Sequence, residues 1–173
     1  DPIYKGLGAY GMYMDVQNQI RILNSRDLIG EVVDKMNVNT SYFVVGRIKK
    51  REVFETLPFT SEVLVTNYQV YEQPVNVEVN DANYFLVSYE LMGEVKTFEG
   101  EFGKLLRTTD FELTLNKSYN YSETNIEVIK SSDYELVFHS RDHLISKFQS
   151  AMQIENLEYT SVLEVTLIDE LAP

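Results

Sequence analysis

The sequence predicts an α+β protein, in which a small α/β base layer carries an inserted antiparallel β-barrel or sandwich-like module. Two observations support this prediction. Helical periodicity is confined to one stretch near the start of the chain and one after residue 139. The region between them consists of short segments in which apolar and polar residues alternate, separated by turn residues. We expect the base to comprise residues 1–57 together with 139–173, and the inserted module to span residues 58–138.

The first helical stretch covers residues 15–39, and its apolar residues recur at helical spacing in two sets. The first set is Val16, Ile20 and Leu23, and the second is Leu28, Ile29, Val32, Val33 and Met36. Asp15 is expected to cap the first turn. Between the two sets, Asn24 or Ser25 offers a side-chain oxygen to the backbone amides that follow. Two helices, or one helix kinked near Ser25, fit this pattern equally well.

The inserted module is predicted from alternation and turn chemistry. Residues 75–79 (VNVEV) alternate with a period of two, as a half-buried strand does. Asn80 and Asp81 then predict a turn, and residues 84–91 predict the partner strand of a hairpin. Gly93 separates that strand from the next. Six to eight strands at roughly ten-residue spacing favour an antiparallel barrel or sandwich.

The last third of the chain is predicted to return to the base. Residues 126–129 (IEVI) and 134–138 (YELVF) favour strands. Ser140 is expected to cap a second helix, whose apolar face is formed by Leu144, Ile145, Phe148 and Ala151. Residues 161–169 (SVLEVTLID) are apolar on both faces, which is typical of a strand at the centre of its sheet.

Composition excludes several classes of function. The formal net charge of −12 repels nucleic-acid phosphates, so no nucleic acid is expected as a partner. The chain has no cysteine, which excludes a disulfide framework, a thiol nucleophile and a thiolate metal site. No stretch approaches the ~18 apolar residues that a membrane-spanning helix requires.

No catalytic, metal or cofactor residues are predicted. His139 and His143 have the four-residue separation of zinc motifs that carry two histidines on one helix. Because Ser140 is expected to cap that helix, His139 would lie outside it. Carboxylate pairs such as Asp110 and Glu112 are expected by chance among 27 acidic residues. There is no Gly-x-Ser-x-Gly segment and no phosphate-loop lysine, which leaves a metal-dependent hydrolase as a distant alternative.

A cluster of basic residues is the first candidate contact surface. Arg47, Lys49, Lys50 and Arg51 lie within five positions of an otherwise acidic chain. Two interpretations stay open. The cluster forms a solvated strand end with surface ion pairs, or it contacts an acidic neighbouring subunit, an acidic glycan or a lipid headgroup.

A second candidate surface is the polar segment 116–125, NKSYNYSETN. Tyr119 and Tyr121 are the tyrosines expected to be exposed there, because polar loops carry binding residues. Most other aromatic residues occupy alternating strand positions, where packing in the core explains them. Tyr119 and Tyr121 are therefore predicted as possible glycan contacts.

Two adjoining segments carry a resemblance to a known family. They are residues 20–39, IRILNSRDLIGEVVDKMNVN, and residues 41–59, SYFVVGRIKKREVFETLPF. The matching residues are Ile20, Leu23, Ser25, Arg26, Val32, Val33 and Asn37 in the first segment and Tyr42, Gly46, Lys49, Glu52, Phe54, Pro58 and Phe59 in the second. In the order and spacing of these residues the chain resembles the periplasmic region of bacterial polysaccharide co-polymerases, the chain-length determinant proteins of exopolysaccharide, capsule and lipopolysaccharide biosynthesis. Gln19 replaces a glutamate of the family pattern, and Met36 and Val38 replace leucines, without altering the apolar face.

The resemblance implies a non-catalytic periplasmic domain of an inner-membrane protein, with its transmembrane helices outside this sequence. It implies a homo-oligomer in the full-length protein, which works with a polysaccharide polymerase and an outer-membrane exporter to set glycan chain length. Any tyrosine kinase domain of the membrane autokinase type would also lie outside this chain. We expect the isolated chain to be a segment of a longer protein and to be mainly monomeric. The alternative is a secreted or surface glycan-binding β module.

Overall fold

The structure, a computed structural model, describes residues 14–36, 38–46, 49–53, 57–121, 126–157, 160 and 162–168. Helices α1 to α4 cover residues 14–23, Arg26–Lys35, Ile126–Lys130 and Arg141–Ala151. Strands β1 to β11 cover Thr40–Val45, Lys50–Glu52, Phe59–Val65, Pro74–Val79, Tyr84–Leu91, Glu94–Glu101, Leu105–Arg107, Phe111–Lys117, Asp133–Phe138, Met152–Asn156 and Leu163–Leu167. The predicted α+β class is confirmed. None of the helices in the described ranges combines the length and the apolar character that crossing a bilayer requires.

The chain divides into two compact units, and one is inserted in the sequence of the other. Unit 1 consists of Asp1–Asn37 and Arg141–Pro173, and unit 2 is Val38–Ser140. The boundaries differ from the expected 57/58 and 138/139, because β1 and β2 belong to unit 2. β1 pairs with β9 along its whole length, and β2 pairs with β1, so these strands are part of the large sheet.

Unit 1 contains two consecutive helices, which corresponds to the first of the two predicted arrangements. α1 ends at residue 23, and Ser25 caps α2 by accepting a hydrogen bond on Oγ from the backbone N–H of Leu28 at 3.3 Å. Asp15 lies within α1 and does not precede it, so it does not act as the expected cap. The interruption therefore follows from the capping serine.

α2 and α4 pack closely through a glycine. A Cβ atom added to Gly30 would lie 2.5 Å from Arg141 Nη2 and 3.3 Å from Ile145 Cδ1. Ile29 and Val33 of α2 and Leu144 and Ile145 of α4 are buried. Gly30 therefore lies in close contact with two side chains of α4, of which the Arg141 guanidinium can move aside and the buried Ile145 cannot move as freely.

β10 and β11 form a two-stranded antiparallel hairpin in unit 1. The prediction that residues 161–169 form a central strand was wrong, because β11 pairs only with β10 in the part of the chain that the structure describes. Val165 and Leu167 are exposed. Apolar residues on both faces of a strand therefore did not indicate that both faces are covered.

Unit 2 consists of two separate antiparallel sheets that enclose one core, so the sandwich-like alternative is the one observed. The first sheet has the order β2-β1-β9-β4-β5-β6, and the second has the order β3-β8-β7. The most deeply buried aromatic side chains are Phe59, Phe85, Phe111 and Phe138. Phe111 and Phe138 come from different sheets, and their rings meet edge to face at 5.2 Å between centroids.

Turn chemistry correctly predicted the β4–β5 hairpin in unit 2 and the strand break at Gly93. Asp81 Oδ1 accepts hydrogen bonds from the backbone N–H groups of Asn83 and Tyr84 in the β4–β5 connection, at 2.7 and 2.9 Å. These bonds hold the pKa of Asp81 below its usual value. Met92 and Gly93 form the two-residue β5–β6 connection, and both have positive φ angles, 54° and 80°.

One predicted strand of unit 2 is a helix. Residues 126–129 form most of α3, although β-branched residues favoured a strand. Ile126 and Ile129 are three residues apart, so a helical turn directs both toward the core. The hydroxyl groups of Ser131 and Ser132 donate to the carbonyl oxygen of Val128 and terminate the helix.

Tyr42 covers an edge of the smaller sheet. Its hydroxyl oxygen accepts a hydrogen bond from the backbone N–H of Ser61 at 3.1 Å and lies 2.8 Å from Ser61 Oγ. Ser61 belongs to β3, which is an edge strand. Tyr42 thus occupies a main-chain donor that would otherwise be available to a foreign strand.

Candidate functional site

The predicted basic cluster contains one ion pair whose partner is buried. The Lys50 ammonium group forms an ion pair with Glu135 and lies 4.1 Å from the centroid of the Phe43 ring. Lys49 and Arg51 are exposed, whereas Arg47 lies outside the described residues. The ion-pair interpretation therefore applies to Lys50. Both interpretations stay open for the other residues of the cluster.

The two predicted surface tyrosines have different surroundings. The side chain of Tyr119 is 88% exposed. Tyr121 is half-buried: its hydroxyl donates to the carbonyl oxygen of Ala82 at 2.9 Å, and its ring packs edge to face on Phe102 at 5.5 Å. The Lys117 ammonium group lies 4.7 Å from the centroid of the Tyr121 ring. Tyr119 is the one of the pair that offers an open aromatic face.

The family-matching residues of the first helical stretch lie on α1 and at the beginning of α2. Ile20 and Leu23 are half-buried on α1, and Ser25 caps α2. Arg26 donates to Asp142 Oδ1 at 3.0 Å and to Ser146 Oγ at 3.3 Å, which links α2 to α4.

A second ion pair joins the same two helices near the other end of α2. Arg141 donates from Nε and Nη2 to the two carboxylate oxygens of Asp34, at 2.7 and 2.9 Å. The hydrogen bond between these two side chains lowers the pKa of Asp34 and raises the pKa of Arg141. Both side chains are exposed, so this bidentate pair contributes orientation more than free energy of folding.

The most buried ionic cluster of the described chain surrounds Asp110, which is 3% exposed. Its carboxylate accepts hydrogen bonds from Lys96 Nζ at 2.6 Å and from the Tyr89 hydroxyl, Asn67 Nδ2 and Thr109 Oγ1, each at 2.7 Å. Burial by itself would raise the pKa of Asp110. The hydrogen bonds from Lys96, Asn67 and Tyr89 outweigh burial and hold that pKa well below its usual range.

This Asp110 cluster joins the two sheets. Tyr89 and Lys96 come from β5 and β6 of the larger sheet, whereas Asp110 immediately precedes β8 of the smaller one. Burial also raises the pKa of Tyr89. A carboxylate with four donors on its oxygens and a strongly lowered pKa is a poor proton donor or acceptor at neutral pH. We interpret the cluster as a structural link.

A second polar cluster lies where the chain begins and ends unit 2; we call it the junction cluster, and it consists of Ser41, Glu52, Glu72 and His139. His139 Nδ1 lies 2.5 Å from Glu72 Oε2, and His139 Nε2 lies 2.9 Å from Ser41 Oγ. The Ser41 hydroxyl donates to Glu52 Oε1 at 2.7 Å. Glu72 has a positive φ of 63°, and its other carboxylate oxygen accepts the backbone N–H of Ser140.

The junction cluster has the serine–histidine–carboxylate order of many hydrolases but not their proton arrangement. The Ser41 hydroxyl proton is directed to Glu52 and not to the imidazole of His139, so His139 does not activate this hydroxyl as a nucleophile in the observed arrangement. We interpret the junction cluster as a structural link.

Sequence reasoning missed both clusters because their members are far apart along the chain. In the sequence, Asp110 and Glu112 form a carboxylate pair of the kind expected by chance. In the structure, the Glu112 carboxylate forms an ion pair with Arg107 at 3.0 Å on the surface. His139 attracted attention through its spacing to His143; as expected, it precedes α4 and is not part of it. Two features of the sequence could have pointed to these clusters. Two threonines directly precede Asp110, and His139 directly follows a predicted strand.

The fold defines the class of protein: a two-unit α+β protein whose antiparallel sandwich is inserted in a helical and hairpin unit. Comparison with known proteins adds no family to that description. No protein-family model matches the chain, and no curated protein matches it.

Proposed function

We propose that this chain is the non-catalytic periplasmic domain of an inner-membrane polysaccharide co-polymerase. In this proposal it acts as a scaffold within a homo-oligomer, together with a polysaccharide polymerase and an outer-membrane exporter, and sets the length of the glycan. Its transmembrane helices and any kinase domain lie outside the sequence.

One observation carries the proposal. Three of the residues on which the resemblance rests have structural roles at separate places in the chain: Ser25 caps α2, Arg26 links α2 to α4, and Tyr42 covers the edge of β3. Packing and capping residues of this kind are what a scaffold domain needs.

The chemistry of the described residues supports the non-catalytic part of the proposal. The Asp110 carboxylate is occupied by four donors, and the junction cluster has a serine that donates to a carboxylate instead of to a base. In neither arrangement is a hydroxyl group activated by transfer of its proton to a histidine. In this proposal the domain acts through its contact surfaces and through the geometry of the oligomer.

The division of the chain is compatible with anchoring at both ends. The segments 1–37 and 141–173 belong to the same unit. Membrane helices joined before and after this sequence would therefore both connect to unit 1, which leaves unit 2 without an anchor of its own.

The test is the chain-length distribution of the cell-surface polysaccharide. Cells that lack the full-length gene should show a lost or shifted distribution on a polysaccharide gel, and the wild-type gene should restore it. A complementing gene with Gly30→Leu, which disturbs the packing of α2 on α4, should restore it poorly. The matched control is Glu31→Leu, because Glu31 is exposed on the same helix. An unchanged distribution in the deletion strain would contradict the proposal.

The exposed Tyr119 favours the alternative, a glycan-binding β module. That reading predicts measurable binding to an oligosaccharide on a glycan array and its loss in Tyr119→Ala. Tyr121→Phe is the control, because it keeps the packed ring and removes only the hydroxyl. Binding that depends on Tyr119, with an unchanged polysaccharide profile, would place the alternative first.

A further inference from the structure

A β-turn that directly follows β8 displays an exposed aromatic ring. The backbone N–H of Tyr121 donates to the carbonyl oxygen of Ser118 at 3.0 Å, so Tyr119 and Asn120 are the two central residues of the turn. The side chain of Tyr119 is 88% exposed, more than any other large hydrophobic side chain of the described residues. Single exposed apolar side chains are common on protein surfaces, so exposure alone does not mark a binding site.

Ser118 anchors this turn to the body of unit 2. Its backbone N–H donates to the carbonyl oxygen of Pro58 at 2.8 Å, and its hydroxyl donates to the carbonyl oxygen of the buried Leu57 at 2.6 Å. The same hydroxyl oxygen accepts a hydrogen bond from the backbone N–H of Asn120 at 3.2 Å. The backbone that carries Tyr119 is therefore fixed before a ligand arrives. A preorganised side chain loses less conformational entropy on binding than a mobile one.

The side chains on either side of the turn are held by ring contacts. Tyr121 packs edge to face on Phe102, and the Lys117 ammonium group lies 4.7 Å from the centroid of the Tyr121 ring. Tyr121 is thereby part of the packed surface, whereas the Tyr119 ring is displayed. Lys117 is exposed and lies two residues before Tyr119, so its N–H groups can donate to a molecule that lies on the Tyr119 ring.

The surroundings of Tyr119 fit a sugar better than a protein partner. Protein interfaces bury a cluster of apolar anchor side chains, whereas the segment 116–120 (NKSYN) offers one ring among polar residues. A sugar ring stacks a C–H face on an aromatic ring and directs its hydroxyl groups to polar groups beside it. The net charge of −12 repels a polyanion, whereas it does not repel an uncharged glycan.

We propose that the turn Ser118–Tyr121 is a contact site for an uncharged glycan, with Tyr119 as the stacking surface and Lys117 as a donor to sugar hydroxyl groups. The inference deepens the proposed function and rests on it only for the source of the glycan. One turn offers a small contact area, so the isolated chain binds weakly. In a homo-oligomer every copy carries the site, and weak contacts along one polysaccharide chain reinforce one another.

The test uses the full 173-residue chain and two probes: cellohexaose, an uncharged glycan with apolar C–H faces, and hexagalacturonate, an acidic one. Saturation-transfer difference NMR should detect transfer from the protein to the C–H protons of cellohexaose. Tyr119→Ala should raise the Kd about tenfold, which is the loss expected for one aromatic contact, whereas Tyr119→Trp should retain binding. Hexagalacturonate should bind more weakly than cellohexaose, and added salt should reduce the difference because it screens the repulsion.

The matched control is Tyr68→Ala, because Tyr68 is another exposed tyrosine of unit 2, at 79%. It should bind cellohexaose as the wild type does, and circular dichroism should show the same fold for all variants. Ser118→Ala removes the hydroxyl that anchors the turn and keeps the Tyr119 ring, so it should weaken binding by a smaller factor than Tyr119→Ala.

Three outcomes overturn the inference. The first is the absence of transfer to cellohexaose, and the second is transfer that Tyr119→Ala leaves unchanged. The third is tighter binding of hexagalacturonate than of cellohexaose. Self-association of the chain that is lost in Tyr119→Ala, without transfer to cellohexaose, would identify the turn as a protein contact instead. Binding that depends on Tyr119, together with an unchanged polysaccharide profile in the deletion strain, would contradict the proposed function alone.

Discussion

The two units differ in how their polar and apolar groups are used. In unit 2 two sheets enclose a continuous core, and buried ionic groups such as Asp110 and Lys96 link one sheet to the other. In unit 1 the buried hydrophobic side chains of the described residues are Val16, Ile29, Val33, Leu144 and Ile145. The ion pairs that join its helices are exposed. Among the described residues, buried apolar side chains are therefore concentrated in unit 2, whereas the contacts of unit 1 include a helix cap and exposed ion pairs between α2 and α4.

The strongest test of this comparison is Phe111→Ala in unit 2. Phe111 is fully buried and its ring contacts Tyr89 and Phe138 at centroid distances of 5.0 and 5.2 Å. We expect a loss of about 3–5 kcal/mol in the free energy of unfolding, measured with urea. Phe43 lies on β1 and its ring is half-buried, so Phe43→Ala should lower the free energy of unfolding by less. Equal losses would contradict a core concentrated between the sheets.

The Asp110 cluster gives the next largest effect. Asp110→Asn should lower the free energy of unfolding by about 2 kcal/mol at pH 7, because Lys96 loses its partner and buried donors lose a charged acceptor. Since the pKa of Asp110 is lowered in the folded state, its contribution is fully present above the ordinary aspartate pKa of about 3.9 and is lost as pH falls below it. The stability difference between wild type and variant should therefore shrink between pH 5 and strongly acidic pH, measured as urea midpoints. A constant difference would show that the carboxylate is not the source.

A smaller effect is expected at Gly30 in unit 1. Gly30→Leu should cost about 1.5 kcal/mol, because a side chain at this position meets Arg141 and Ile145. Hydrogen exchange of peptides from α2 and α4 should increase, while peptides from the sandwich stay protected. Glu31→Leu is the control. Protection lost equally in both units would indicate that the units unfold together.

The smallest effect is expected at the cap of α2. Ser25→Ala removes the hydrogen bond to Leu28 N–H and should cost about 1 kcal/mol. Ser25→Asp retains a side-chain acceptor and should restore most of the loss. If the alanine and aspartate variants have the same urea midpoint, the cap does not determine the start of the helix.

Interactions between residues that are close in the sequence made several helix and strand boundaries predictable. Contacts between distant residues decided the features that could not be predicted. Ser25 and the Asn80-Asp81 turn act within a few residues, so the helix break and the hairpin could be predicted from them. Residues 126–129 could not, because their β-branched side chains favour a strand, whereas the structure places Ile126 and Ile129 on one face of a helical turn that the following serines terminate.

The polar clusters were beyond sequence reasoning for a related reason. Asp110 meets Lys96 and Asn67, and His139 meets Glu72, only because the sheets bring distant segments together. A lone carboxylate or histidine in the sequence gives no indication of these partners. The hairpin of β10 and β11 shows a different limit of the sequence. Its apolar residues are visible in the sequence, but the sequence does not show that Val165 and Leu167 are exposed.

The way in which the chain begins and ends unit 2 has an evolutionary consequence. The two connections run side by side: Thr40 faces Phe138 in the sheet, and the backbone N–H of His139 donates to the carbonyl oxygen of Asn39 at 2.8 Å. Insertions with adjacent ends can be acquired, exchanged or lost as one cassette without rearranging the host. A gene in which a short turn replaces residues 38–140 should therefore still encode unit 1, and proteins with and without unit 2 can arise from one another by a single recombination event.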